Sequence, residues 1–228
     1  MYLSRTTYLK FVMLNYRLNS VVRRNFVLTF KSIDSTDDLF EEAMKLYNTS
    51  FDEEIREDVE VFERSFELNK ENCSKYHFLV ALKNDKFSGF VSFHLEKEAH
   101  IGYIVYLVVD PEYRGQHIAG QLMQEAERIM KTYDPSLSFV MLECEKEASG
   151  KSPLESFYRK FDFHPLDIDY LQPALHGGDP VPMNLFLKSF NQTSDDTQLN
   201  AIKAMYLEKF SKTNLVSTEL LNEYMNNF

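Results

Sequence analysis

Residues 100–110, HIGYIVYLVVD, constrain the fold most. A near-continuous run of apolar, aromatic and β-branched residues reads as a strand at the centre of a sheet. It stops at Asp110-Pro111 and gives way to EYRGQHIAG, which runs into the helix-like GQLMQEAERIM. A strand end feeding a glycine-containing loop and a helix start leaves several backbone N–H groups unpaired. They lie at the positive end of a helix dipole, and together these features bind phosphate. Arg114 adds a charge-assisted contact, Gly115 tolerates unusual backbone angles, and Ala119 and Gly120 keep the helix start thin for close approach. The spacing is neither a Walker loop nor the dinucleotide fingerprint. From these residues alone, a turn without a ligand reads equally well.

The flanking sequence supplies the rest of a mixed sheet. Residues 26–33 read as a first strand. A helix follows over 34–51, capped by Asp34, Ser35 or Thr36, with Asp37 and Asp38 at its N-terminus and Leu39, Ala43, Leu46 and Tyr47 on its apolar face. A second helix is expected over 53–68. YHFLVALKND and KFSGFVSFHLE form a hairpin across Asn84-Asp85. The long helix is expected over 117–133, burying Ile118, Leu122, Ala126 and Ile129 and ending at Asp134-Pro135. SFVMLECE is another interior strand, Ser152-Pro153 opens a short helix through Phe161, and PMNLFLKSF is a last strand. Strands first pair antiparallel and helices are then interleaved among them, so the class is α+β, or mixed α/β. Three parts are expected: a basic extension over 1–24, a domain over 25–190, and a helical C-terminal extension over 191–228. The last either packs on the domain or serves as a contact in a homodimer.

Charge narrows the partners. The chain carries 25 Lys and Arg against 35 Asp and Glu, a formal net charge of −10. Nucleic acid is therefore disfavoured, because phosphate binding needs surplus base, and a cationic small molecule or basic peptide fits better. The first 33 residues hold Arg5, Lys10, Arg17, Arg23, Arg24 and Lys31 and no acid. A packed extension, or residues ahead of a later start at Met13, is favoured over a transit or membrane-surface segment. No apolar run approaches the length of a membrane span. Cys73 and Cys144 are expected as reduced thiols in a cytoplasmic protein. Five histidines, His77, His94, His100, His164 and His176, lack metal-ligand spacing; His164 beside Pro165 and His176 beside two glycines are placed to reach a substrate cleft, with ordinary surface positions favoured. The phenylalanine-rich composition, 19 Phe with no Trp, points to an aromatic core.

VDPEYRGQHIA, with LECE and FYRKFDF after it, resembles the GNAT superfamily of acyl-CoA-dependent N-acyltransferases. Arg114 and Ala119 fill the ends of that family's CoA-binding signature, while His117 stands where the family has Gly. Tyr158 and Phe163 match the second signature, and Asp162 replaces its Gly. The resemblance spans roughly residues 26–190 and implies a mostly antiparallel sheet flanked by helices, with acetyl-CoA as cosubstrate and no metal. It implies that Leu107, Val108 and Val109 lie beside the pantetheine and thioester. The amides of Gly115, Gln116, His117, Ile118, Ala119 and Gly120 would then hold the pyrophosphate, and Tyr158 would protonate the departing thiolate.

Glu143 matches a position that acts as base in some relatives; a solvated strand carboxylate is the equal alternative. Lys151 falls where some relatives have a CoA-contacting Asn. Tyr103, Tyr106, Tyr170 and Gln172 are candidates for the acceptor pocket, and Cys144 reads as core. His117, placed in a helix first turn, is expected to keep an ordinary φ. The resulting expectation is an N-acetyltransferase acting by direct attack of a primary amine of a small molecule or peptide. The alternative is a catalytically degenerate acyl-CoA-binding or regulatory protein, motivated by the loss of the two motif glycines.

Overall fold

A computed structural model describes residues 27–71, 75–146 and 152–226. The basic N-terminal segment with Met13, and also Cys73 and Lys151, lie outside the described residues. In chain order the elements are β1 (Leu28–Ile33), α1 (Asp38–Ser50), α2 (Val59–Glu71), β2 (Tyr76–Lys83), β3 (Lys86–Glu96) and β4 (Ile101–Val109). There follow α3 (Ile118–Tyr133), β5 (Phe139–Glu145), α4 (Glu155–Tyr158), β6 (His164–Pro165), β7 (Leu171–Gln172), β8 (Val181–Ser189), α5 (Asp195–Leu207) and α6 (Thr218–Met225). The sheet order is β1-β2-β3-β4-β5-β8-β6, with β7 also on β8. Every pairing is antiparallel except β4 with β5, which α3 connects as a crossover.

Local chemistry explains most boundaries and corrects several. Asp37, not an earlier residue, caps α1: its carboxylate accepts from the Phe40 amide at 3.0 Å. The segment expected as one helix from residue 53 splits into a 3-10 turn, Glu53–Ile55, and then α2. Asn84 and Asp85 both take positive φ, 50° and 64°, as a two-residue hairpin turn requires. Helix α3 begins one residue later than expected. It buries Met123 and Met130 with Ile118, Leu122 and Ala126, while Ile129 is only partly covered. Burying side chains of this size contributes about 1.5–3 kcal/mol each and fixes α3 across β2, β3 and β4.

The opposite face of the sheet is covered twice. Helices α1 and α2 pack an aromatic layer against β2–β4, with Phe40, Tyr47, Phe62, Phe66, Phe78, Phe90 and Tyr106 buried together. Many of these rings meet edge to face, for example Phe40 with Phe66 at 5.4 Å and Tyr47 with Tyr106 at 4.8 Å between centroids. Helices α5 and α6 cover the other half, where Ile202, Met205, Tyr206 and Phe210 pack on Ile101, Tyr103, Met141 and Leu185. The C-terminal helices thus share a core with the sheet.

One irregularity positions the site. The β3–β4 register runs Phe93 to Ile104 and then Ser92 to Tyr106, so Val105 is an extra residue, a β-bulge. The bulge shifts the alternation. Ile104, Leu107 and Val109 face α3, whereas Tyr103, Tyr106 and Val108 face the other helices. At the same point β4 leaves β5, whose pairing covers only Ile101–Ile104 with Phe139–Leu142. The second halves of two parallel strands therefore splay apart, opening the centre of the sheet.

Candidate functional site

On one side of the splay lies a cleft of about 510 Å³ built by the loop after β4. Asp110 accepts from the Glu112 amide at 2.8 Å and closes the 3-10 turn Pro111–Tyr113. Gly115 then turns at φ +74°, with nothing within 4 Å of a would-be Cβ. The amides of Gly115, Gln116, His117, Ile118, Ala119 and Gly120 have no backbone partner among the described residues. Unpaired N–H groups at the start of a 16-residue helix fit an anion. Arg114 is exposed and steadied by a bond from its Nε to the Val109 carbonyl at 3.2 Å, which leaves its two terminal nitrogens available. The Gln116 side chain is occupied by the Glu112 carbonyl and the Lys83 ammonium. Lys160, with no signal in the motif reading, also lines this cleft and makes no ion pair among the described residues.

Two expectations for this loop need correction. His117 does not keep an ordinary φ: it caps α3 at φ +64°. The helix starts after it, so its backbone takes the left-handed turn for which glycine is usual. Gly120 does not serve only an approaching phosphate. A Cβ there would meet the Phe161 ring at 2.6 Å, so its smallness seats the segment after α4. Asp162 also stands in the left-handed region, at φ +64°. The Asp162 amide donates to the Arg159 carbonyl and the Phe163 amide to the Tyr158 carbonyl, which closes the helix end as a Schellman motif. His and Asp enter this region more readily than most residues, so both motif positions keep a glycine-like backbone without glycine.

On the other side of the splay is a cavity of about 240 Å³ that brings together residues from the whole chain. Tyr103, Tyr106, Glu143, Tyr158 and Gln172 all line it, joined by Asp52, Glu57, Glu145 and Lys209. Tyr170 does not line it but reaches Glu143 from below: both the Tyr103 hydroxyl, at 2.5 Å, and the Tyr170 hydroxyl donate to Glu143 Oε1. Oε2 makes no bond among the described residues. As a residue Glu143 is half-buried, yet its carboxylate is enclosed. Burial raises its pKa above the ordinary carboxylate value, against the pull of the two phenols and of Lys209. It is thus not the solvated strand carboxylate of the alternative reading.

Tyr158 is buried against Phe157 and Phe186, and its hydroxyl has no hydrogen-bond partner among the described residues. Burial first, then the neighbouring Cys144, pushes its phenol up, so it holds its proton at neutral pH. Cys144 is buried and its thiol is pushed up by burial, as for a core residue. Leu107, Val108 and Val109 sit on the separated stretch of β4, and Val109 lines the cleft. His164 is exposed beside Arg159, and the His176 ring lies 2.6 Å from the Arg56 carbonyl. Among the described residues, no group of three or more His, Cys, Asp or Glu could hold a metal ion, and no helix is long and apolar enough to cross a membrane.

The sequence model of the acetyltransferase (GNAT) family matches residues 37–163. Among solved structures, a GNAT-family protein from Bacteroides thetaiotaomicron is 20% identical, over 81% of this chain and 98% of that one, with a TM-score of 0.61. Arabidopsis thaliana NAA60, solved with a bisubstrate analogue, is 20% identical over 73% and 99% of the two chains, TM-score 0.55. An acetyltransferase from Streptococcus agalactiae is 15% identical over 72% and 98%, TM-score 0.53. At these identities the likeness is one of fold. None of the curated proteins matches this chain.

Proposed function

Because this chain belongs to the GNAT acetyltransferase family, which supports acyl transfer from acyl-CoA in general, we propose that it is an N-acetyltransferase. It would move an acetyl group from acetyl-CoA to a primary amine of a small cationic molecule or peptide. One observation carries this: Tyr158 and Glu143, 15 positions apart in sequence, face one cavity at the point where β4 and β5 separate. The cleft fits the cosubstrate, since it offers unpaired amides, a left-handed Gly115 and two cations, Arg114 and Lys160.

Acetyl-CoA, when bound, supplies an activated thioester. The amides of residues 115–120 and Arg114 hold its pyrophosphate, and β4 N–H groups near Val108 or Val109 polarise the acyl carbonyl. Glu143 receives a proton from the ammonium of the acceptor, a task its raised pKa suits. The freed amine forms the carbon–nitrogen bond as the carbon–sulfur bond breaks; Tyr158 gives its proton to the thiolate, and the surplus proton on the new amide nitrogen passes through solvent to restore the phenol. Asp52, Glu57, Glu143 and Glu145 against Lys209 make the cavity acidic, which favours a cationic acceptor. A cytoplasmic location accords with reduced, buried Cys144.

The test is a thermal shift with acetyl-CoA, followed by CoA-thiol release over a panel of amines. Stabilisation and amine-dependent release are expected. No shift at saturating acetyl-CoA would sink the enzyme assignment. Binding without turnover would favour the degenerate protein, whose motive is the replacement of two motif glycines by His117 and Asp162.

A further inference from the structure

The segment between α1 and α2 forms one wall of the acidic cavity through Phe51, Asp52, Ile55 and Glu57. Among residues 51–58 only Glu57 is buried; the other side chains are partly or fully exposed. Its apolar anchors, Phe51 against the Tyr47 and Tyr106 rings and Ile55 against the C-terminal core, are only half-buried, and polar contacts complete its placement. Tyr47 and Tyr106 place hydroxyls 2.6 and 3.3 Å from the Glu57 amide, and the Tyr106 hydroxyl donates to the Ile55 carbonyl at 3.1 Å. The Glu57 carboxylate is held by the Lys209 ammonium and by the Asn214 amide, the latter at 2.7 Å. The two charged side chains are 3% and 2% exposed.

Lys209 comes from beyond residue 163, where the family match ends. It sits in a π-helical turn, Glu208–Thr213, that extends α5. Such turns shift the following side chains out of α-helical phase. Here the turn carries Lys209 to Glu57 and Phe210 to the cavity wall, while Arg64 of α2 donates to the Thr213 carbonyl. Removing one partner of a buried pair leaves an uncompensated charge, which solvent can reach only if the loop moves.

We infer that Lys209 and Glu57 are positioning residues: a buried latch by which the C-terminal helices set the acceptor wall of the cavity. The latch rests on the acetyltransfer assignment for its kinetic consequence, but its structural consequence can be read separately. The test compares wild type with Lys209→Met, Glu57→Gln and, as a control, Lys212→Ala, which lies exposed on the same turn. Glu57→Gln preserves shape and stays readable where Lys209→Met does not fold. Two measurements are made: hydrogen exchange of amides 51–58, and KM values for amine and for acetyl-CoA.

Faster exchange in the two latch variants, with no change in the control, is expected. So is a fall in kcat/KM for the amine of roughly 10²-fold, the scale of an ångström-level misplacement, with the acetyl-CoA KM unchanged. Unchanged exchange at 51–58 overturns the latch. So does a parallel rise in both KM values, which marks general loosening. If wild type releases no CoA with any amine, the acetyltransfer assignment fails while the exchange comparison still decides the latch.

Discussion

The two hollows on either side of the β4–β5 splay have opposite chemistry. Among the described residues, the cleft at the start of α3 is lined by Arg114 and Lys160 and by no carboxylate, in a chain of net charge −10. The cavity beyond the splay is lined by Asp52, Glu57, Glu143 and Glu145, with Lys209 as its one Lys or Arg among the described residues. The cleft is also local, built mainly from residues within the stretch 109–124 with a short segment near residue 160. The cavity is assembled from residues 50 to 210. A local cleft made of backbone amides suits a constant ligand part, whereas an assembled cavity of side chains can be retuned.

Five substitutions test that division, from the largest expected effect to the smallest. Tyr158→Phe removes the proposed proton donor from the cavity. Turnover should fall by roughly 10²–10⁴-fold in single-turnover assays while the thermal shift with acetyl-CoA persists. Unchanged turnover would remove Tyr158 from the acid role.

Glu143→Gln should lower kcat/KM by roughly 10²-fold or more. In wild type the rate should rise with pH through a limb above the ordinary carboxylate range, as Glu143 ionises, and the variant should lose that limb. Stability should move the other way. Because the folded protein holds this proton more tightly than the unfolded chain, the Glu143 contribution to stability is lost as pH rises from the unfolded to the folded pKa. Near neutral pH, Glu143→Gln should therefore melt at a higher temperature than wild type.

In the cleft, Arg114→Ala and Lys160→Ala should each weaken acetyl-CoA binding by about tenfold, measured calorimetrically, with little change in kcat. The loss should shrink with added salt, because both cations are exposed and screened. A variant that lost kcat but kept affinity would break the division of labour. His117→Gly is the smallest change. It relieves a left-handed non-glycine residue and should raise stability by about 1 kcal/mol at most, read as a small gain in Tm, with acetyl-CoA affinity retained.

Legibility followed sequence distance. The Asn84-Asp85 turn, the strand-loop-helix around Arg114 and the Tyr158-to-Phe163 helix end are set by short-range backbone preferences, and their sequences announced them. His117 was misjudged by a single position: whether it opens the helix or precedes it decides the sign of φ. The packing role of Gly120 is not legible because its ring partner, Phe161, lies 41 positions away. Lys160 carried no signal, since one lysine in an exposed turn has no periodic or spaced pattern to betray it.

By itself, the sequence determined the mixed sheet and the order of its motifs. Only the tertiary structure decided that Val105 bulges, that β4 and β5 part there, and that Tyr103 and Tyr170 both close on Glu143. It alone brought Lys209 to Glu57 across 152 positions. The physical reason is that hydrophobic periodicity and turn chemistry act over a few residues, so they can be read along the chain. Buried polar pairs form only where packing leaves no water to compete, and no spacing rule records where that will be.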